Sequence, residues 1–252
     1  MKNYKVQILL ALSLLSFIAV FFLPKIPQPT DYHNFADQRL IFGIPNFWDV
    51  VSNLPFVLIG LLSSIFILPK VSKDKNLLPH LGFFVGVLLT GFGSAYYHFA
   101  PTTETLVWDR LPMTIAFTSF LSALLTERVN EKFGLRSWIP FLLFGIGSVF
   151  YWAWTEQIGS GDLRPYILVQ FLPIILALVI LGIFQSKASE GKYFGGVILF
   201  YGISKICEHL DNEIFNFFIF SGHTLKHIFA GIAVFWILAM LQKRKADINR
   251  LF

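Results

Sequence analysis

His223 and His227 stand four residues apart in Gly222-His223-Thr224-Leu225-Lys226-His227. That spacing stacks two imidazoles one turn apart on one helix face, as shared ligation of a metal ion requires. Ser94 and His98 repeat it. A third imidazole nitrogen, from His98, makes three protein ligands and leaves one tetrahedral position for water, the arrangement of a catalytic rather than a structural zinc centre. Bound zinc lowers the pKa of its water from ~15.7 towards ~7, so hydroxide becomes available near neutral pH. Asp109, just after the turn at Pro101, has the chemistry to deprotonate that water and pass the proton to a leaving amine. Ser94 has the hydroxyl to hydrogen-bond a developing oxyanion. A Ser-His-Asp triad built from the same residues is the alternative, and it leaves His223 and His227 without a role. Zinc is preferred because neutral imidazoles suit it, although they also suit iron, copper and nickel.

The elements that must position these groups read as membrane helices. The chain is 55% hydrophobic and 17% aromatic with 14% charged residues, a balance that a water-soluble domain of this length would struggle to cover with polar surface. Charge-poor apolar stretches recur at 6–23, 46–68, 77–97, 108–125, 138–154, 166–184, 193–207 and 224–241, most of them near the ~20 residues a helix needs to cross the hydrocarbon. Nothing alternates as a β-barrel strand does, so the expected fold is all-α, with backbone hydrogen bonds closed inside each segment. His98, Asp109, Arg110, His223, Lys226 and His227 fall at the ends of three such stretches that share one side, with Asn46, Asp49, Ser52 and Asn53 at the start of a fourth.

The net charge of +5 follows topology rather than nucleic acid. Lys2, Lys5, Lys70, Lys73, Lys75, Arg128, Lys132, Arg136, Lys187, Lys192, Lys243, Arg244, Lys245 and Arg250 fall on one side, while the other receives Lys25, Arg39 and Arg164. The positive-inside rule therefore puts both termini in the cytoplasm and the histidines towards the extracytoplasmic side. The first apolar run ends Val20-Phe21-Phe22-Leu23-Pro24, without the small residues of a signal cleavage site, and reads as an uncleaved additional helix. The expected organisation is an N-terminal anchor or signal-like helix at 1–24, an extracytoplasmic segment at 25–43, a seven-helix catalytic membrane domain at 44–242 and a basic cytoplasmic tail at 243–252. Cys207 is the only cysteine, so no internal disulfide forms.

Several polar residues have plainer readings. His33, His80 and His209 are lone histidines, which more often pack than ligate. Asp49 caps or joins helices together with Asn46 and Asn53. Glu208 and Asp211 are either acids supporting the histidines or solvated loop charges, with the first favoured. Trp152 and Trp154 beside Glu156 read as an interfacial aromatic belt.

The stretches Phe47-Trp48-Asp49-Val50-Val51-Ser52-Asn53-Leu54, Gly93-Ser94-Ala95-Tyr96-Tyr97-His98, Trp108-Asp109-Arg110-Leu111-Pro112-Met113 and Gly222-His223-Thr224-Leu225-Lys226-His227 together resemble the alkaline ceramidase family. That family lies within a superfamily of seven-helix membrane hydrolases that also includes adiponectin-receptor-like and GPI-remodelling proteins. The resemblance runs from about Asp31 to Leu241. It implies a seven-helix bundle with zinc on His98, His223 and His227, Asp109 on the water, Ser94 near the scissile carbonyl, and hydrolysis of ceramide to a sphingoid base and a fatty acid. Asn46 stands where a calcium-binding glutamate is expected, and residues 31–37 supply only Asp31 and Asp37. Calcium is therefore not predicted. The Gly-Ile-Pro-Asn segment before the second apolar stretch and the additional first helix look more like bacterial members. A bacterial source implies the plasma membrane, and a eukaryotic one the endoplasmic reticulum or Golgi.

Three other functions remain open from the sequence. One is a lipid esterase using the same site. A second is a seven-helix receptor braced by zinc. The third is a transporter with Asp49, Lys205 and Lys226 as an ion path, which lacks the expected repeat symmetry.

Overall fold

A computed structural model describes residues 2–184 and 190–249, with side chains for 4–184 and 190–244. Lys187 and Arg250, and the side chains of Lys2 and Lys245, all counted in the charge pattern above, lie outside the described residues. The α-helices are α1 (Lys2–Phe22), α2 (Phe47–Val51), α3 (Leu54–Val71), α4 (Leu78–Phe99), α5 (Thr103–Leu124), α6 (Glu131–Gln157), α7 (Arg164–Ile183), α8 (Gly191–His209), α9 (Asp211–Phe217) and α10 (Gly222–Asn249). A π-turn at Leu125–Val129 extends α5.

Every apolar stretch read from the sequence folds as helix. The second divides into α2 and α3 because Pro55, in the first turn of α3, has no N–H to continue the ladder from α2. Asn53 crosses the break by donating from Nδ2 to the Asp49 carbonyl at 2.8 Å. Among the described residues, six helical segments are long and apolar enough to cross a membrane: Tyr4–Phe22, Phe47–Val71, Lys75–Phe99, Glu131–Gln157, Arg164–Ile183 and Gly222–Arg244. That is an integral, multi-pass pattern.

Helices α5 and α8 are not among the six, so the expected count of seven core crossings is not carried by length and hydropathy. In α5 the reason is its place in the bundle. It packs against α4, α6 and α7 and buries Thr114, Thr118, Ser119 and Ser122. The Thr114 and Thr118 hydroxyls bond back to carbonyls of their own helix, so polar side chains inside the protein stand where a lipid-facing helix needs apolar ones. Helix α8 carries Lys192, Lys205 and Glu208.

Two apolar clusters fill the bundle. The larger includes Phe83, Phe84, Leu121, Ile180 and Ile237; the smaller, beside the histidines, includes Phe35, Tyr97, Leu106, Trp152 and Tyr166. Beyond the larger cluster, a partly buried ionic network joins the start of α4 and α8 to the ends of α5 and α10. His80 meets Glu127 at 3.2 Å, Arg128 meets Glu190 at 3.0 Å, and Arg244 bonds both acids. Helix α1 lies on α7. Arg164 fastens it, donating to the Leu23 carbonyl at 2.8 Å while gripping Asp162 with two 2.8 Å bonds. The guanidinium holds the Asp162 carboxyl below its ordinary value.

The expectation for Trp152 is corrected. It is fully buried, donating from Nε1 to Glu156 at 3.0 Å under the Arg110 guanidinium, whereas Trp154 is exposed. The belt reading failed because a tryptophan in an apolar stretch looks the same whether it faces lipid or a buried cation.

The closest approach of two long helices brings α4 against α5. A Cβ on Gly93 would lie 1.9 Å from the Trp108 carbonyl oxygen, so a side chain there must push the helices apart. Gly93→Ala is expected to destabilise the protein by about 1–3 kcal/mol, read as a lower thermal unfolding midpoint in detergent. An unchanged midpoint would contradict this packing.

Candidate metal centre

The last turn of α4 carries His98, and the first turns of α10 carry His223 and His227. Local bonding fixes both helix ends. Ser221 caps α10, its hydroxyl oxygen accepting from the Thr224 N–H at 3.0 Å, while Asp211 Oδ1 accepts from the His223 N–H at 2.7 Å. Two of the orphan donors of a helix start are thereby satisfied. At the other end, Asn46 donates from Nδ2 to the His98 carbonyl at 2.8 Å. Asn46 does so from a left-handed backbone conformation, φ 47°, which asparagine tolerates better than most residues.

The three imidazoles are buried, His98 at 1%, His223 at 8% and His227 at 2% exposure. Their centroids are 4.7 Å (98–223), 5.0 Å (98–227) and 4.9 Å (223–227) apart. One potential ligand atom from each lies within 4.8 Å of the other two. The Nε2 atoms of His98 and His223 are 3.2 Å apart. Two nitrogens each ~2.0–2.1 Å from a tetrahedral zinc would be ~3.4 Å apart, so this pair already sits close to ligation distance.

The surroundings fit a cation held by neutral imidazoles. His227 Nδ1 is 2.8 Å from Ser52 Oγ, and that hydroxyl donates on to the Asp49 carbonyl at 3.2 Å. With the proton on Nδ1, Nε2 keeps a free lone pair towards the other two rings. His98 Nδ1 is buried and has no hydrogen-bond partner among the described residues. The Phe35 ring packs edge-on against His98 at 4.5 Å and His223 at 4.7 Å, covering the site from the segment before α2.

Asp109, on α5, lines a cavity of about 360 Å³ together with Ser94 and His227. Lys226 lines the same cavity, its Nζ 3.2 Å from His223 Nε2 and 3.0 Å from Glu208 Oε1. Glu208 also holds Lys205. The remaining wall is mostly apolar, interrupted by Thr90, Ser204 and Lys205, and comes from α3, α4, α5, α7, α8 and α10, with Phe83, Phe120, Ile174, Phe194 and Ile237 along it.

All five residues singled out from the sequence are therefore brought to one end of the bundle. His98, His223 and His227 form the cluster, and Asp109 and Ser94 line the cavity beside it. Asp49 is fully buried and accepts from Ser221 at 3.1 Å and Thr224 at 2.6 Å, so it joins α2 to α10. Glu208 and Asp211 support the histidine segment rather than facing solvent. Arg110 turns away from Asp109 and lies 4.2 Å from Trp152, 4.8 Å from Tyr166 and 5.4 Å from Tyr32 by ring centroid, a buried cation against aromatic faces. His33 packs between the Tyr97 hydroxyl at 2.9 Å and Thr103 at 3.2 Å. Sequence reasoning gave no role to Ser52, although a serine facing inward at the depth of three histidines was a usable signal. Phe35 carried none, being one aromatic in a loop.

Comparison with family models, with curated proteins and with solved structures finds no match for this chain. Fold and site together define a multi-helix, membrane-type bundle with a buried three-histidine group that could hold a metal ion. Replacing His98, His223 or His227 with alanine is expected to reduce bound metal in the purified protein to near zero by elemental analysis. Ser52→Ala is expected to weaken metal affinity by ~10–100-fold. Full metal retention in two of the three histidine variants would contradict the shared site.

Proposed function

We propose that the protein is a zinc-dependent intramembrane lipid amide hydrolase, with ceramide as its substrate, cleaved to a sphingoid base and a fatty acid. The observation that carries this reading is that His227, Asp109 and Ser94 line one end of a cavity whose remaining wall is mostly apolar. A lipid with its chain in the apolar part brings its polar linkage to the histidines. Zinc held there would supply hydroxide near neutral pH by lowering the pKa of coordinated water.

The chain's own residues divide the remaining tasks. Asp109 takes a proton from the attacking water and returns it to the leaving nitrogen. Ser94, on the same wall, donates a hydrogen bond to the developing oxyanion. The apolar wall holds the acyl chain and limits competing water. Catalysis rather than structural bracing is favoured because one side of the cluster faces the cavity, where a fully enclosed four-ligand site would be expected of a brace. Ceramide is preferred over other lipids because of the four stretches that resemble alkaline ceramidases. The basic residues favour cytoplasmic termini and a site near the extracytoplasmic surface, in a bacterial plasma membrane or in the endoplasmic reticulum or Golgi of a eukaryote.

Purified protein incubated with ceramide and with a matched ester-linked lipid is expected to release fatty acid faster from the amide, by mass spectrometry. Stripping the metal with a chelator abolishes release and added zinc restores it. Asp109→Asn keeps its metal and loses about 10²–10⁴ of the rate. Undiminished hydrolysis by metal-free protein would overturn the reading.

A further inference from the structure

We infer that Lys226 is a catalytic residue whose ammonium binds the substrate carbonyl oxygen as it becomes negatively charged. The assignment rests on the hydrolase reading and adds to it a group that the spacing of histidines and acids did not reveal.

The position is the first argument. Lys226 Nζ is 3.2 Å from His223 Nε2, the nitrogen that faces His98, and its side chain lines the cavity with Asp109. A carbonyl carbon placed for attack by water held by Asp109 therefore has its oxygen within reach of this ammonium. The second argument is orientation. Glu208 Oε1 fixes Nζ at 3.0 Å; a second of the ammonium's three donors faces the His223 Nε2 lone pair at 3.2 Å and is released when a metal takes that lone pair, which leaves two for the substrate. Glu208 already pairs with Lys205, so neutralising that carboxylate does not require Lys226. A cation is costly at membrane depth, and the Lys226 side chain is only 20% exposed.

The third argument is strength. A fixed cation hydrogen-bonds a developing oxyanion more strongly than a neutral hydroxyl such as that of Ser94, and Lys226 is a cavity-wall cation placed beside the histidines. In the step itself, the water oxygen forms a bond to the carbonyl carbon while the π pair moves onto the carbonyl oxygen beside Nζ. Asp109 takes the water proton. The C–N bond then breaks with its electron pair on nitrogen, which receives that proton, giving a carboxylic acid and an amine. Fixed charge aimed at an oxygen that becomes anionic stabilises the transition state more than the ground state.

The test uses full-length protein in detergent, a fluorescent N-acyl sphingosine as substrate and the trifluoromethyl ketone of a fatty acid as an oxyanion-forming inhibitor. Lys226→Met is expected to keep its metal and its thermal midpoint, to lose about 10²–10³ in kcat with little change in KM, and to bind the inhibitor correspondingly less tightly. Lys226→Arg is expected to recover part of both losses. If the Met variant does not fold, Lys226→Gln carries the same expectations. An unchanged kcat, a rise in KM alone, or loss of metal in step with activity would overturn the assignment while leaving the hydrolase reading intact. Failure of the unaltered, metal-loaded protein to hydrolyse any lipid amide or ester would overturn both.

Discussion

Three imidazoles contributed by two helix ends must meet in a buried place, and most of the polar chemistry in this bundle serves that meeting. An unpartnered polar group away from water is costly, so the residues around the cluster are arranged as partners. Asn46 takes up a carbonyl at the end of α4, Ser221 and Asp211 take up N–H groups at the start of α10, and Ser52 sets the proton on His227. Asp49 joins α2 to α10 through two hydroxyls. Each contact orients a ring or anchors the helix that carries it.

The two ends of the bundle solve different problems. Around the histidines, hydrogen-bond donors and acceptors converge and leave a face open to the cavity. At the far end, His80, Glu127, Arg128, Glu190 and Arg244 form a closed ionic network across four elements. Buried ion pairs add little net stability because desolvation offsets attraction, so the network is better understood as fixing the mutual placement of α4, α5, α8 and α10. Those four helices also supply much of the cavity wall. Their mutual placement frames a mostly apolar cavity of about 360 Å³ that His227 also lines.

Much of this was legible in the sequence because membrane helices and metal ligands both leave periodic traces. Each apolar stretch became helix, and the i,i+4 histidine pair identified one face of α10 before any coordinates. The break at Ser52 was also marked, by Pro55, although the stretch read as one helix. What the sequence obscured were facts of direction. Helix α5 reads from its sequence as one more apolar stretch, yet its Thr114 and Thr118 turn inward and bond their own carbonyls, and its Ser119 accepts from Trp138. Trp152 looked like a belt residue, yet it lies beneath Arg110. How closely α4 and α5 pack was also hidden, and it depends on the bare Cα of Gly93 against Trp108. Lys226 was weighed only as part of an ion path, because a lysine beside a metal motif has no spacing rule to identify it.

The central claim is that His98, His223 and His227 share one ion, and X-ray absorption at the metal edge of the purified protein tests it directly. The account predicts one zinc per chain, with a first shell of nitrogen and oxygen at ~2.0–2.1 Å and multiple-scattering features of three imidazoles. A first shell containing sulfur or one dominated by carboxylate, or fewer than two imidazoles on the metal, would contradict it.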